Sequence, residues 1–183
     1  MEEKKQPAKE LYTLLHDFVY ILVVITVLFV FVVRMVGVSG PSMMPTLQDG
    51  EYIALLSNFL CGDYEAGDIV VATIPSFDDS KPIVKRVIAT EYQTVDIDFL
   101  TGEIRVDGVL LKEDYINELT LTNFDDGMAY PVTVPEGCVF LMGDNRNHST
   151  DSRFAPIGCV DTKYILGKVI LRIFPLNRIG GIA

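Results

Sequence analysis

Residues 18–33, FVYILVVITVLFVFVV, carry no charge, and Tyr20 and Thr26 are their only polar side chains. Arg34 interrupts the run and residues 35–38 resume it. A helix over 18–38 spans about 31 Å at 1.5 Å per residue, one hydrocarbon thickness. Arg34, close to its end, can reach the headgroups. A soluble helix this apolar would need core on every side, and 183 residues offer little. The run therefore predicts a transmembrane helix at 18–38, between a tail at 1–17 and a domain at 39–183. A cleavable export signal is the competing expectation, with Gly37 and Ser39 as small residues at its cleavage site. Against it, the run exceeds a usual signal core. Lys4, Lys5 and Lys9 before the run outnumber Arg34 after it, which places the tail in the cytoplasm and the domain outside.

The formal net charge is −10. It lies entirely beyond residue 38, where 11 Lys/Arg face 21 Asp/Glu. Such a chain lacks the basic face that nucleic-acid binding requires. Cys61, Cys138 and Cys159 match no zinc or CxxC spacing and read as small, partly buried apolar residues. Three thiols cannot all pair internally, so at most one disulfide is open to them.

Beyond the anchor, short β-branched and aromatic runs alternate with turns. EYIALL (51–56), DIVVATI (68–74), PIVKRVIAT (82–90), TVDIDF (94–99), EIRVDGVLL (103–111), CVFLMG (138–143) and GKVILRIF (167–174) read as strands. Asp107-Gly108 suits a type I′ hairpin turn. KEDYINELT (112–120) reads as a short helical turn or loop. The pattern predicts a mainly β, antiparallel domain, with a small polar lobe at about 91–134.

Three segments carry candidate chemistry. In SGPSMMPTL, Pro41 and Pro45 frame Ser42, and Gly40 permits close backbone approach. In PIVKRVIA, Lys85 shares its strand face with Ile83, Val87 and Ala89. If that face is buried, desolvation favours the neutral amine, a general base. An edge-strand lysine reaching solvent is the alternative. In MGDNRNHSTDSRF, Asp144, Arg146, Asp151 and Arg153 can form a charge network. His148 lies in the same segment, so a Ser42–His148–Asp151 site competes with a Ser42–Lys85 pair.

Taken in order, the apolar anchor, SGPSMMPTL, GDIVVA, KPIVKRVIA and GDNRNHSTDSR resemble the conserved boxes of type I signal peptidases, in their short single-anchor Gram-positive-type form. The resemblance runs from the anchor to about Val169. It implies a largely antiparallel β fold and a serine/lysine dyad, with Ser42 as nucleophile and Lys85 as general base. Ser149 would hydrogen-bond and orient the lysine, and Met43 would line the substrate pocket. Asp144, Asn145, Arg146, Asp151, Ser152 and Arg153 would support the site. His148 falls where the family varies. Gly40 stands where some members carry a serine that helps hold the oxyanion, leaving that task to backbone N–H groups. Asn147 replaces an aspartate of some members. The implied substrates are signal-peptide-bearing preproteins, cleaved at the membrane, with no metal or organic cofactor. Two other expectations are a self-cleaving Ser/Lys regulatory protease, whose usual DNA-binding domain finds no room before Ser39, and a non-catalytic anchored peptide-binding module.

Overall fold

The computed structural model describes residues 7–75, 77–124 and 128–182. Helix α1 spans Pro7–Phe31 among the described residues. Its segment Lys9–Val27 has a mean hydropathy of 1.6 and is long and apolar enough to cross a membrane. Protein packing does not cover it: Phe18 is 62% exposed and Leu22 53%.

The helix differs from the expected 18–38 at both ends. It starts within the segment read as a tail and stops at Phe31. Residues expected to complete it form strand β1, Val33–Gly37. β1 runs antiparallel to β2, Tyr52–Ser57, in register from Val33↔Leu56 to Gly37↔Tyr52. Val33 and Val36 suit a pleated strand, and the ladder satisfies a β2 edge that a longer helix would leave open.

The remaining strands are β3 Ile69–Thr73, β4 Pro82–Ala89, β5 Thr94–Asp98, β6 Glu103–Val106, β7 Val109–Leu110, β8 Val132–Thr133, β9 Cys138–Met142, β10 Val160–Asp161 and β11 Ile165–Phe174. All seven segments read as strands form strands at nearly the expected bounds. A seven-stranded sheet has the order β1-β2-β11-β3-β4-β9-β10, and a four-stranded sheet the order β7-β6-β5-β8. Every pairing is antiparallel. Asp107 (φ 52°) and Gly108 (φ 79°) both take positive φ, as a type I′ turn requires. Residues 112–120 form turns and extended chain without a helix.

β3 explains why DIVVATI is apolar without alternation. Val70 and Ala72 face one core with Val87, Val139 and Leu141. Ile69 and Val71 face another with Leu47, Ile53, Leu55 and Val84. Both faces of the sheet are thus covered at its centre. A third core, of Ile88, Val95, Ile104, Phe140 and Met142, joins the small sheet to β4 and β9. All three cysteines are free and partly buried.

Gly167 sits in β11 where that strand is flanked by β2 and β3. A β-carbon there would overlap the Leu56 carbonyl oxygen, a backbone atom that cannot step aside. Gly167→Ala is therefore expected to lower unfolding free energy by about 1–3 kcal/mol. Urea denaturation of the detergent-solubilised protein checks this, and an unchanged midpoint would contradict it.

Candidate active site

β4 outruns its partner β9. Their ladder closes at Arg86↔Met142, and β9 then turns away into residues 143–153. Lys85 stands at that opening, and the serine loop fills it. Lys85 Nζ donates to Ser42 Oγ at 2.8 Å and to the Val84 carbonyl at 3.0 Å. The lysine is only 3% exposed and forms no ion pair among the described residues. Burial pushes its amine down to about 8; Arg153 pushes the same way, while Asp151 and Asp144 push it up.

The serine loop is clamped from both sides. Asn145 donates its backbone N–H to the Ser42 carbonyl (3.0 Å) and its side-chain Nδ2 to the Pro41 carbonyl (3.1 Å). Thr46 Oγ1 donates to Asp144 Oδ2 at 2.5 Å. Met43 is 1% exposed and packs with Val38, Leu47 and Ile53. Its side chain is turned into the core, where it underlies the serine loop. Gly143 lets the two loops meet, since a β-carbon there would overlap Ser149 Oγ and the Ser42 carbonyl. Gly40 has φ +87° with open space around it. Conformation, not crowding, selects glycine there. Its N–H donates to Asp49 Oδ1 at 2.8 Å.

The charge network pairs differently from the expected set. Arg86, read only as a strand residue, grips Asp144 through Nε and Nη2, both at 2.8 Å. Arg146 reaches out of its segment to Glu113 (2.5 Å) and Thr120 Oγ1 (3.2 Å), and donates Nε to the Gly143 carbonyl. Only Asp151 and Arg153 pair within the segment, through Nε at 2.8 Å and Nη2 at 2.9 Å. Arg153 Nη2 also donates to the Arg146 carbonyl at 2.6 Å. Asp151 is fully buried, which alone would raise its pKa. Hydrogen bonds from Arg153, the Arg153 charge, the Gly143 N–H and the Ser149 hydroxyl outweigh burial and hold the carboxyl below its usual range.

Ser149 departs from expectation. Its Oγ donates to Asp151 Oδ2 at 2.7 Å, and among the described residues it makes no hydrogen bond to Lys85. A buried carboxylate is the stronger acceptor for its proton. Ser152 ties the segment to β9, its N–H donating to the Leu141 carbonyl and its Oγ accepting from the Leu141 N–H, both at 2.9 Å. His148 is exposed and makes no side-chain hydrogen bond among the described residues, so the Ser42–His148–Asp151 arrangement is not formed. The residues that sequence reasoning missed are Arg86, Thr46, Thr120 and Tyr115, whose ring lies 4.0 Å from the Arg86 guanidinium. Arg86 left one signal: an arginine in an apolar strand needs a carboxylate partner if it is buried.

The family model described as signal peptidase, peptidase S26, matches residues 11–174. Signal peptidase I of Bacillus licheniformis is 36% identical over 152 residues, covering 78% of this chain and 77% of that protein. Probable signal peptidase I-1 of Synechocystis is 35% identical over 150 residues, covering 78% and 72%. Signal peptidase IB of Staphylococcus aureus (strain Mu50) is 30% identical over 182 residues, covering 90% and 92%. The crystal structure of a signal peptidase I from Enterococcus faecalis V583 superposes with a TM-score of 0.48 at 28% identity, over 59% of this chain and 97% of that one. The family match takes in Ser42, Lys85 and the whole polar segment after β9, and so the chain belongs to the signal peptidase family, peptidase S26, and is a hydrolase of peptide bonds.

Proposed function

We propose that this chain is a membrane-anchored signal peptidase I that cleaves signal peptides from exported preproteins, with Ser42 as nucleophile and Lys85 as general base. The observation that carries the reading is a buried lysine amine 2.8 Å from a serine hydroxyl, with no ion pair among the described residues to hold it charged. Helix α1 anchors the chain in the lipid bilayer with its N-terminus in the cytoplasm. β1 follows the helix directly and, after β1, the chain reaches the serine loop within a few residues, so the nucleophile lies close to the membrane surface.

The chemistry follows from the contacts. The neutral Lys85 amine takes the Ser42 hydroxyl proton while Oγ bonds to the scissile carbonyl carbon. The Ser42 N–H has no partner among the described residues and on this reading donates to the oxyanion. Pro41 has no N–H, and that of Gly40 is taken by Asp49. The Lys85 ammonium then returns its proton to the leaving amine as the C–N bond breaks, leaving an acyl ester on Ser42. Water gives a proton to the same amine, attacks the ester carbon and releases the acid, and Oγ recovers its proton.

The substrate strand has a place to lie. Before Arg86, β4 is paired with β3 alone, from Thr73↔Pro82 to Val70↔Lys85. Its other edge can accept an extended peptide that ends beside Ser42.

Ser42→Ala and Lys85→Ala are each expected to abolish cleavage of a purified preprotein, while His148→Ala retains most activity. Cleavage surviving in Lys85→Ala and lost in His148→Ala would overturn the assignment. The pH dependence has a definite sign. An ammonium has no lone pair, so below about 8 the rate should fall about tenfold per pH unit. Above it the amine is neutral and the rate levels off. A kcat/KM profile from pH 6 to 10 checks this, and a flat profile across pH 8 would count against lysine as the base.

A further inference from the structure

Between β7 and β8, residues 112–124 have no regular structure yet lie across the arginines of the site. Glu113 pairs with Arg146, and the Tyr115 hydroxyl donates back to Glu113 at 3.1 Å. The Tyr115 ring covers Arg86. Thr120 is fully buried and accepts from Arg146. The Phe124 ring lies 5.8 Å from the Arg153 guanidinium. Arg86, Arg146 and Arg153 are each at most 2% exposed beneath this strap.

One side chain holds the strap down. Asn147 Oδ1 accepts from the Leu121 N–H (3.1 Å), the Thr122 N–H (3.1 Å) and Thr122 Oγ1 (3.2 Å). Its Nδ2 donates to Glu118 Oε2 (3.0 Å) and the Leu119 carbonyl (3.1 Å). The residue therefore uses both ends of a carboxamide. An aspartate here would have no donors and would face Glu118 with a like charge. Asn147 follows directly on Asn145 and Arg146, so the residue that pins the strap is continuous with the one that clamps the serine loop.

We propose that Asn147 is a positioning residue for the Ser42–Lys85 pair, its carboxamide clipping residues 118–122 over Arg146 and Arg153 so that the lysine's surroundings stay free of water. This rests on Lys85 being the base. The charges that act on Lys85 are Asp151, Arg153 and Asp144, with Arg86 paired to Asp144 and Arg153 to Asp151. Arg146 and Glu113 lie beyond them, with Tyr115 as a neutral phenol whose pKa burial raises to about 12. With the strap lifted, water reaches these pairs, the desolvation that favours the neutral amine weakens, and the lysine protonates at higher pH.

The test uses the full chain in detergent micelles and a purified preprotein. N147D keeps the size and the acceptors, loses both donors and sets a second carboxylate against Glu118. It is expected to move the acid limb of kcat/KM upward by about half a pH unit or more. At pH 7 it should lose activity about threefold or more. N147D/E118Q reverses the side-chain hydrogen bond and removes the repulsion, and should restore the limb and bring the rate to within about twofold of wild type. E118Q alone, whose amide oxygen still accepts from Asn147, should keep the wild-type limb. An N147D profile that superimposes on wild type, even with a lower Tm, overturns the proposal, as does a double variant no better than N147D. Should N147D fail to fold, the double variant decides alone, its limb at the wild-type position supporting the clip and a raised limb refuting it. A wild-type profile lacking any limb near 8 would instead remove the Lys85 reading on which the clip rests.

Discussion

Everything at this site depends on keeping one buried amine away from two nearby carboxylates. A lysine taken out of water ordinarily finds an acid, and an ion pair would fix it as an ammonium. Lys85 has Asp144 and Asp151 close enough to affect its titration, yet its hydrogen bonds go to a hydroxyl and a carbonyl. Each acid is already occupied by its own guanidinium, Arg86 on Asp144 and Arg153 on Asp151, both bidentate. Hydrogen bonds from Thr46 to one and from Gly143 and Ser149 to the other use further lone pairs. The arginines thus do more than brace loops. They segregate the charge so that, among the described residues, the amine is left with two neutral partners, the serine hydroxyl and the Val84 carbonyl.

That arrangement is bought with backbone geometry. β9 must stop pairing with β4 at Arg86, or its continuation would occupy the space of the serine loop. Gly143 must lack a β-carbon, or Ser149 and the Ser42 carbonyl could not close around it. Met43 must be buried, so that the loop bearing Ser42 is fixed by the core shared with Leu47 and Ile53. The sheet supplies the lysine, a turn against the sheet supplies the serine, and Asn145 sets the distance between them. Loss of one member of a buried pair such as Arg86–Asp144 would cost about 3–5 kcal/mol and free a carboxylate within reach of the amine.

The strands were legible because their signals are local. Val, Ile and Leu runs between Gly, Pro and Asp turns need no knowledge of partners, and Asp107-Gly108 demands positive φ by residue type alone. The order of the boxes pointed to Ser42 and Lys85 as candidates, while the apolar strand face left the burial of Lys85 open beside a solvent-reaching alternative. What escaped depends on distant contacts. β1 continues an apolar run that composition cannot separate from the helix, and only β2, beyond an intervening loop, turns it into strand. The partners of Arg86 and Arg146 lie 58 and 33 residues away in the chain. Charges near in sequence invited pairing with each other, which Asp151 and Arg153 do, but Asp144 and Arg146 each took a partner that the fold brought from elsewhere.

On the proposed Ser42–Lys85 mechanism, Ser149 would let the same segment serve two protonation states. In the free enzyme its hydroxyl donates to Asp151, which fixes the direction of its proton. A hydroxyl whose proton is committed keeps its lone pairs as acceptors. When Lys85 takes the Ser42 proton it gains an N–H, and an oxygen that can only accept suits an ammonium better than an amine. Asp151, held ionised by Arg153, keeps Ser149 in that orientation throughout. On that mechanism the carboxylate would favour the protonated base in the transition state without pairing with it in the ground state, which is the differential interaction that lowers a barrier.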